Sequence, residues 1–230
     1  MKTVPVLTLV APVLLLVACA SQGPAPSAAP VSTSAALGLP EPLPPPGMDQ
    51  IADAPAGAFF AALASHCGQA FAGRVRVDVP AAPDSAFAGK TLVMHVRECR
   101  AGEIRIPFHV GEDHSRTWVI TRTASGLRLK HDHRHSDGTP DASTLYGGDT
   151  ADAGTPGRQS FPVDAESIAM FGRQDKTASV TNTWAIEILP GKQFVYELSR
   201  PGGRLFQVEF DLTRPVPLPQ APWGSEIASD

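Results

Sequence analysis

The sequence predicts a mainly β protein, an antiparallel up-and-down meander of about eight strands (barrel or sandwich) with one N-terminal helix and one short helix. Three observations predict it. Beyond Gly73 the apolar residues recur with period two, as strands with one buried face require. The links between these runs are short and carry turn residues, as in Ala101-Gly102, Ser125-Gly126, Pro190-Gly191 and Pro201-Gly202-Gly203. Links that short force consecutive strands antiparallel, because a parallel return needs a long crossover.

The N-terminal segment stands apart from this pattern. Of 23 prolines in 230 residues, ten precede Gly47. Residues 1–18 read as a signal peptide: Lys2 supplies the positive charge, and the apolar stretch Val4 to Val17 is too short to span a bilayer comfortably. Residues 19–50 are rich in Pro, Ala and Ser, cannot bury enough apolar surface to fold, and read as a tether. A single β-rich domain is expected over residues 51–222, with 223–230 a disordered tail. The formal charge of −4 gives no electrostatic reason to expect nucleic acid, which favours a basic face, so no nucleic-acid partner is expected.

The run Leu16-Val17-Ala18-Cys19 resembles the lipobox of bacterial lipoproteins. That resemblance implies that Cys19 becomes the N-terminus and carries acyl chains such as palmitate. The membrane is then a partner through a lipid anchor, because several buried CH2 groups per chain hold firmly. Ala20 in place of aspartate implies the outer membrane of a Gram-negative cell envelope, with the domain facing the periplasm or the cell surface.

Within the domain, Asp53 is the expected cap of a helix that admits Pro55 in its first turn and ends at Gly68. Phe59, Phe60, Leu63 and Cys67 share one side of it. Cys67 and Cys99, a pair in an oxidising compartment, read as a disulfide closing a loop of about thirty residues. Two free thiols or a two-cysteine metal site are the other readings, the latter disfavoured because zinc motifs use close CxxC pairs. Strands are expected at Arg74–Val79, Thr91–Cys99, Ile104–Val110, Arg116–Thr123, Leu127–His135, Ser179–Leu189, Gln193–Arg200 and Arg204–Leu212. The glycine-rich stretch between Ser136 and Phe161 reads as a long loop, and Asp164 to Phe171 as a short capped helix.

Registers follow from which alignment gathers apolar residues on one face. A loop at 201–203 pairs Leu198 with Phe206, Tyr196 with Val208 and Phe194 with Phe210; a loop at 189–191 sets Ile186 beside Phe194 and Trp184 beside Tyr196. For Trp118 to His135 two alignments compete. A three-residue loop at 124–126 sets Val119 against His131, whereas a two-residue Ser125-Gly126 turn sets Trp118 opposite His133, Ile120 opposite His131 and Arg122 opposite Leu129. The second separates apolar from polar better. It sends Leu127, Leu129, His131, His133 and His135 inward with Trp118 and Ile120, and turns Arg128, Lys130, Asp132 and Arg134 to solvent.

Inward imidazoles and an inward guanidinium are costly unless partnered, so they mark either a satisfied polar network or a ligand cavity. Trp118, Arg122, His131, His133 and Tyr196 are the candidate ligand-binding residues. His131 and His133, about 7 Å apart along one strand face, are also candidate transition-metal ligands. A third ligand would have to come from elsewhere, with His95, His109 and His114 available. No other cofactor is expected. Gly-x-Ser-x-Gly, a phosphate-binding glycine loop and HExxH are all absent, so no catalytic residue is assigned.

With Gly73 at the first strand and a meander over residues 70–212, the architecture resembles lipocalin and fatty-acid-binding barrels, although Gly73-Arg74-Val75 lacks the lipocalin Gly-x-Trp. Ser65 to Phe71 and Lys130 to His135 are similar to segments of secreted proteins of Gram-negative bacteria, which implies no activity. The expected function is a non-catalytic envelope lipoprotein that binds a small molecule in a barrel-like cavity. A metal carrier or metal-dependent enzyme using the 131–135 histidines is the second reading. An accessory protein docking another protein through the 136–160 loop is the third.

Overall fold

The computed structural model describes residues 54–81 and 85–225. The signal peptide, Cys19, the tether and residues 226–230 lie outside the described residues. The elements are α1 (Pro55–Ala64), β1 (Ala70–Val79), β2 (Leu92–His95), β3 (Glu98–Cys99), β4 (Glu103–Val110), β5 (Asp113–Arg122), β6 (Leu127–His133), β7 (Tyr146–Asp149), β8 (Arg158–Pro162), α2 (Ala165–Arg173), a 3-10 turn (Thr177–Thr181), β9 (Thr183–Leu189), β10 (Gln193–Arg200) and β11 (Arg204–Val216). They form one antiparallel sheet in the order β7-β6-β5-β4-β2-β1-β11-β10-β9-β8, with β3 on β4. The protein is mainly β, as expected.

The two margins of this sheet, β7 and β8, meet. The Asp164 amide donates to the Gly147 carbonyl at 2.9 Å, and the Gly148 backbone lies against the Pro162 carbonyl. The sheet is thus nearly closed into a barrel. This corrects the long loop expected between Ser136 and Phe161, which contains β7 and most of β8. Gly147 and Gly148 lower strand propensity, yet a Cβ at Gly148 would collide with the Pro162 oxygen and one at Gly147 with the Leu129 oxygen. Close backbone approach, not a turn, explains these glycines.

Helix α1 has Pro55 at its start and Ala54 at its cap position with no side-chain capping bond, which displaces the Asp53 cap expected. Phe59, Phe60 and Leu63 are buried, and the Phe60 ring lies 4.4 Å from the guanidinium of Arg122 at the end of β5, so α1 stoppers that end of the barrel. Cys67 and Cys99 form the expected disulfide, tying the segment after α1 to β3. The strand expected over Thr91–Cys99 is broken at Val96 and Arg97, because the Val96 amide and carbonyl bond Gln69 and Gly68 instead of a neighbouring strand. The first part of the strand expected from Ser179 is a 3-10 turn. Helix α2 is capped by Asp164, whose carboxylate accepts from the Ser167 amide.

The β10–β11 register is as expected. Two others slide by two residues. In β9–β10, Ile188 faces Phe194, Ile186 faces Tyr196 and Trp184 faces Leu198. In β5–β6, Trp118 faces His131, Ile120 faces Leu129 and Arg122 faces Leu127, around an Ala124-Ser125 turn closed by Thr123 N–H to Gly126 O at 2.9 Å. A slide of two leaves the side chains of β5 and β6 on their predicted faces, and this register also buries Leu127; His135, expected inward, lies beyond the end of β6 and is exposed instead. Asp132 points outward as expected but is buried there, between Arg105 (2.8 Å) and Arg134 (2.8 Å). The chain stays packed past Pro222, the expected boundary: Trp223 donates its amide to the His114 carbonyl at 3.1 Å and covers that imidazole.

Candidate functional site

At the end opposite α1 the barrel holds a half-enclosed cavity of about 400 Å³. Its volume lies in the range of small-molecule sites, about 300–1,000 Å³. The β5–β6 hairpin contributes Trp118, His131 and His133 to the wall; β7 brings Tyr146, β9 Trp184 and β10 Tyr196. These rings pack on one another. Trp118 stacks on Phe108 at 4.9 Å and on Tyr196 at 4.6 Å, and His131 stacks on Tyr146 at 4.5 Å. Period-two alternation on curved antiparallel strands is what aims them all inward.

Two histidines and two tyrosines of this floor bond one another. Nδ1 of His131 is 3.1 Å from the Tyr146 carbonyl oxygen, which can only accept, so Nδ1 carries the proton. Nε2 then accepts from the Tyr196 hydroxyl at 2.8 Å. His133 Nε2 sits 3.1 Å from the Tyr146 hydroxyl. Burial, with His133 as a further cause, pushes the His131 imidazole down to about 3. Burial and then Arg116 push His133 down to about 4. Burial raises Tyr146 to about 12 and Tyr196 well above its ordinary value. At neutral pH the floor is uncharged.

The mouth is different. Arg116, Lys176, Arg200 and Arg204 line it, against a single lining carboxylate, Asp141. Arg116 is paired with Asp113 at 2.6 Å and Arg204 with Asp78. Lys176 instead donates to the Ser143 hydroxyl, and Arg200 to the Asn182 side-chain oxygen. Two loops frame the opening, residues 134–145 and 174–182. They are joined by Ser143 Oγ to Gln174 Oε1 at 2.6 Å and Gln174 Nε2 to Ala142 O at 2.7 Å. Each holds a non-glycine residue in left-handed backbone, Leu145 at φ 58° and Asp175 at φ 55°, a strained conformation that clusters at functional sites.

Four of the five expected ligand residues, Trp118, His131, His133 and Tyr196, come together here. Arg122 does not line this cavity. It faces inward as its parity predicted, but at the stoppered end, with its guanidinium 4.4 Å from the centre of the Phe60 ring. His135 is exposed, 3.8 Å from Asp141. Both ring nitrogens of His131 are engaged by Tyr146 and Tyr196, and no group of three His, Cys, Asp or Glu side chains converges among the described residues. His109 and His114 pair through Nδ1 atoms 2.7 Å apart, on the face of β4 opposite Phe108. Sequence reasoning missed Tyr146, hidden beside two glycines, and the cations Lys176, in a loop, and Arg200, at the end of β10, neither of which carried a motif. It paired Trp184 with Tyr196 without assigning it to the site.

Comparison with known protein families, with curated proteins and with solved structures found no match for this chain.

Proposed function

We propose that this chain is a non-catalytic cell-envelope lipoprotein, anchored to the outer membrane through acylated Cys19, whose β-domain binds a small molecule at the open end of the barrel. The carrying observation is the half-enclosed cavity of about 400 Å³ lined by Trp118, Tyr146, Trp184 and Tyr196. Aromatic walls with a few convergent polar groups are what small-molecule sites use. Both ring nitrogens of His131 and the hydroxyls of Tyr146 and Tyr196 are already bonded within the floor, so an apolar body can rest against them without stranding those groups. A catalytic acid or base works best near the operating pH, and the depressed histidines and raised tyrosines stand far from neutrality. The engaged nitrogens of His131 favour this reading over a metal site. The lipobox-like run before Cys19 and the Cys67–Cys99 bridge both fit an oxidising envelope compartment.

Native mass spectrometry of the full chain, purified gently in detergent, tests the binding function. The expected result is a retained small molecule that is lost in a Trp184→Ala variant; an empty protein that also fails to bind a library of small apolar compounds would reject it. Mass analysis of the mature N-terminus tests the anchor, with acylated Cys19 expected and an unmodified N-terminus overturning it.

A further inference from the structure

The mouth and the floor of the cavity differ in kind, and the difference constrains what fits. The chain carries a formal charge of −4, yet four cations and one carboxylate line this opening. Two of these cations are paired with carboxylates, Arg116 with Asp113 and Arg204 with Asp78. Lys176 and Arg200 depart from that. Among the described residues neither has a carboxylate within ion-pair distance, and Asp141 sits 3.8 Å from His135 instead. Each spends one donor on a neutral oxygen, of Ser143 and of Asn182 respectively, which leaves further N–H groups uncommitted. Burial and the neighbouring Arg204 lower the Arg200 pKa, so this guanidinium gains from an incoming negative charge. The rings of Tyr146, Trp184 and Phe206 line the same cavity.

Resting on the reading of this cavity as a ligand site, we propose that its ligand is an amphipathic oxyanion: a carboxylate or phosphate head held by Lys176 and Arg200, on an apolar body seated against the aromatic floor. The guanidinium fork of Arg200 suits the paired oxygens of such a head, and Lys176 adds a movable point charge. The apolar body supplies affinity by leaving water, and the head sets its direction. A neutral ligand of the same shape would leave the two cations facing a partly desolvated opening without compensation.

Titration calorimetry on the full chain in detergent, with detergent-only blanks subtracted, tests this using three probes that share one ring system: 1-naphthoate, 1-naphthyl phosphate and 1-naphthamide. One or both anions are expected to bind at least about tenfold more tightly than the amide, and the tighter anion identifies the head. Lys176→Gln and Arg200→Gln are each expected to bring the anion down toward the amide while leaving amide binding unchanged. Equal affinity for all three probes, or anion affinity insensitive to both substitutions, overturns the oxyanion inference and leaves the cavity reading standing. Failure of all three to bind removes both.

Discussion

His131 and Tyr196 meet across the interior of the barrel, Nε2 to hydroxyl at 2.8 Å, although β6 is second from one margin of the sheet and β10 third from the other. Both groups are buried. Their bond satisfies Nε2 of the imidazole and fixes the phenol ring on whose face Trp118 stacks.

Tyr196→Phe removes the donor to His131 and leaves a buried acceptor unpaired. A loss of about 1–3 kcal/mol in unfolding free energy is expected. Tyr146→Phe, whose hydroxyl serves the half-buried His133 at 3.1 Å, is expected to cost less. Urea unfolding of the two variants checks the order; a Tyr196→Phe protein as stable as the parent contradicts the hydrogen bond.

Buried neutral imidazoles make stability depend on pH. His131, pushed down to about 3, and His109, pushed down to about 4 by burial and by His114, are both depressed below the ordinary 6.5. The unfolded chain therefore binds more protons below pH 6.5, and folding stability falls as pH drops from there toward 4. The fully buried His131 contributes a loss of about 2 kcal/mol between pH 8 and pH 5, and His109, less completely enclosed and bonded to His114, a smaller one. The lowered carboxylates Asp113, Asp149 and Asp164 act in the same direction in a more acidic window. Thermal melts at pH 8 and pH 5 check this, and a flat profile would mean the imidazoles are charged or exposed.

The seam between β7 and β8 tolerates no side chain at Gly148. Gly148→Val is expected to cost more than about 3 kcal/mol, because the obstruction is backbone and cannot swing aside. Hydrogen exchange at Asp164, whose amide bonds Gly147, is the local readout, and faster exchange there is expected even where the variant still folds. Protection equal to the parent would mean the seam is open.

Replacing Cys67 and Cys99 by serine opens a link across a sequence separation of 32 residues. Chain-entropy arithmetic for that separation gives a loss of about 3–4 kcal/mol. Denaturant melts of the oxidised parent and the double variant measure it, and indistinguishable midpoints would rule out a stabilising bridge.

The faces of the strands were legible in the sequence and the registers only partly. Trp118 and His131 share a wall because both lie in phase with Ile120 and Leu129, and alternation reveals phase. Alternation repeats after two residues, however, so it could not separate the Ser125-Gly126 turn from the Ala124-Ser125 turn that forms. Arg122 shows the same limit: its inward phase was readable, but which end of the barrel it reaches depends on strand tilt and on where α1 docks. Strand β7 was hidden because its glycines answer to the backbone of Leu129 and Pro162, distant in sequence. Lys176 and Arg200 belong to one opening only after the chain has wound round, and no local spacing encodes that.

Tyr146 stands on one side of the β7–β8 junction, and Trp184 and Tyr196 stand beyond the other. The aromatic floor therefore bridges that junction. A guest lodged on it touches both sides, so filling the hollow also laces the wall together, and any breathing of that wall weakens the grip on the guest by the same motion.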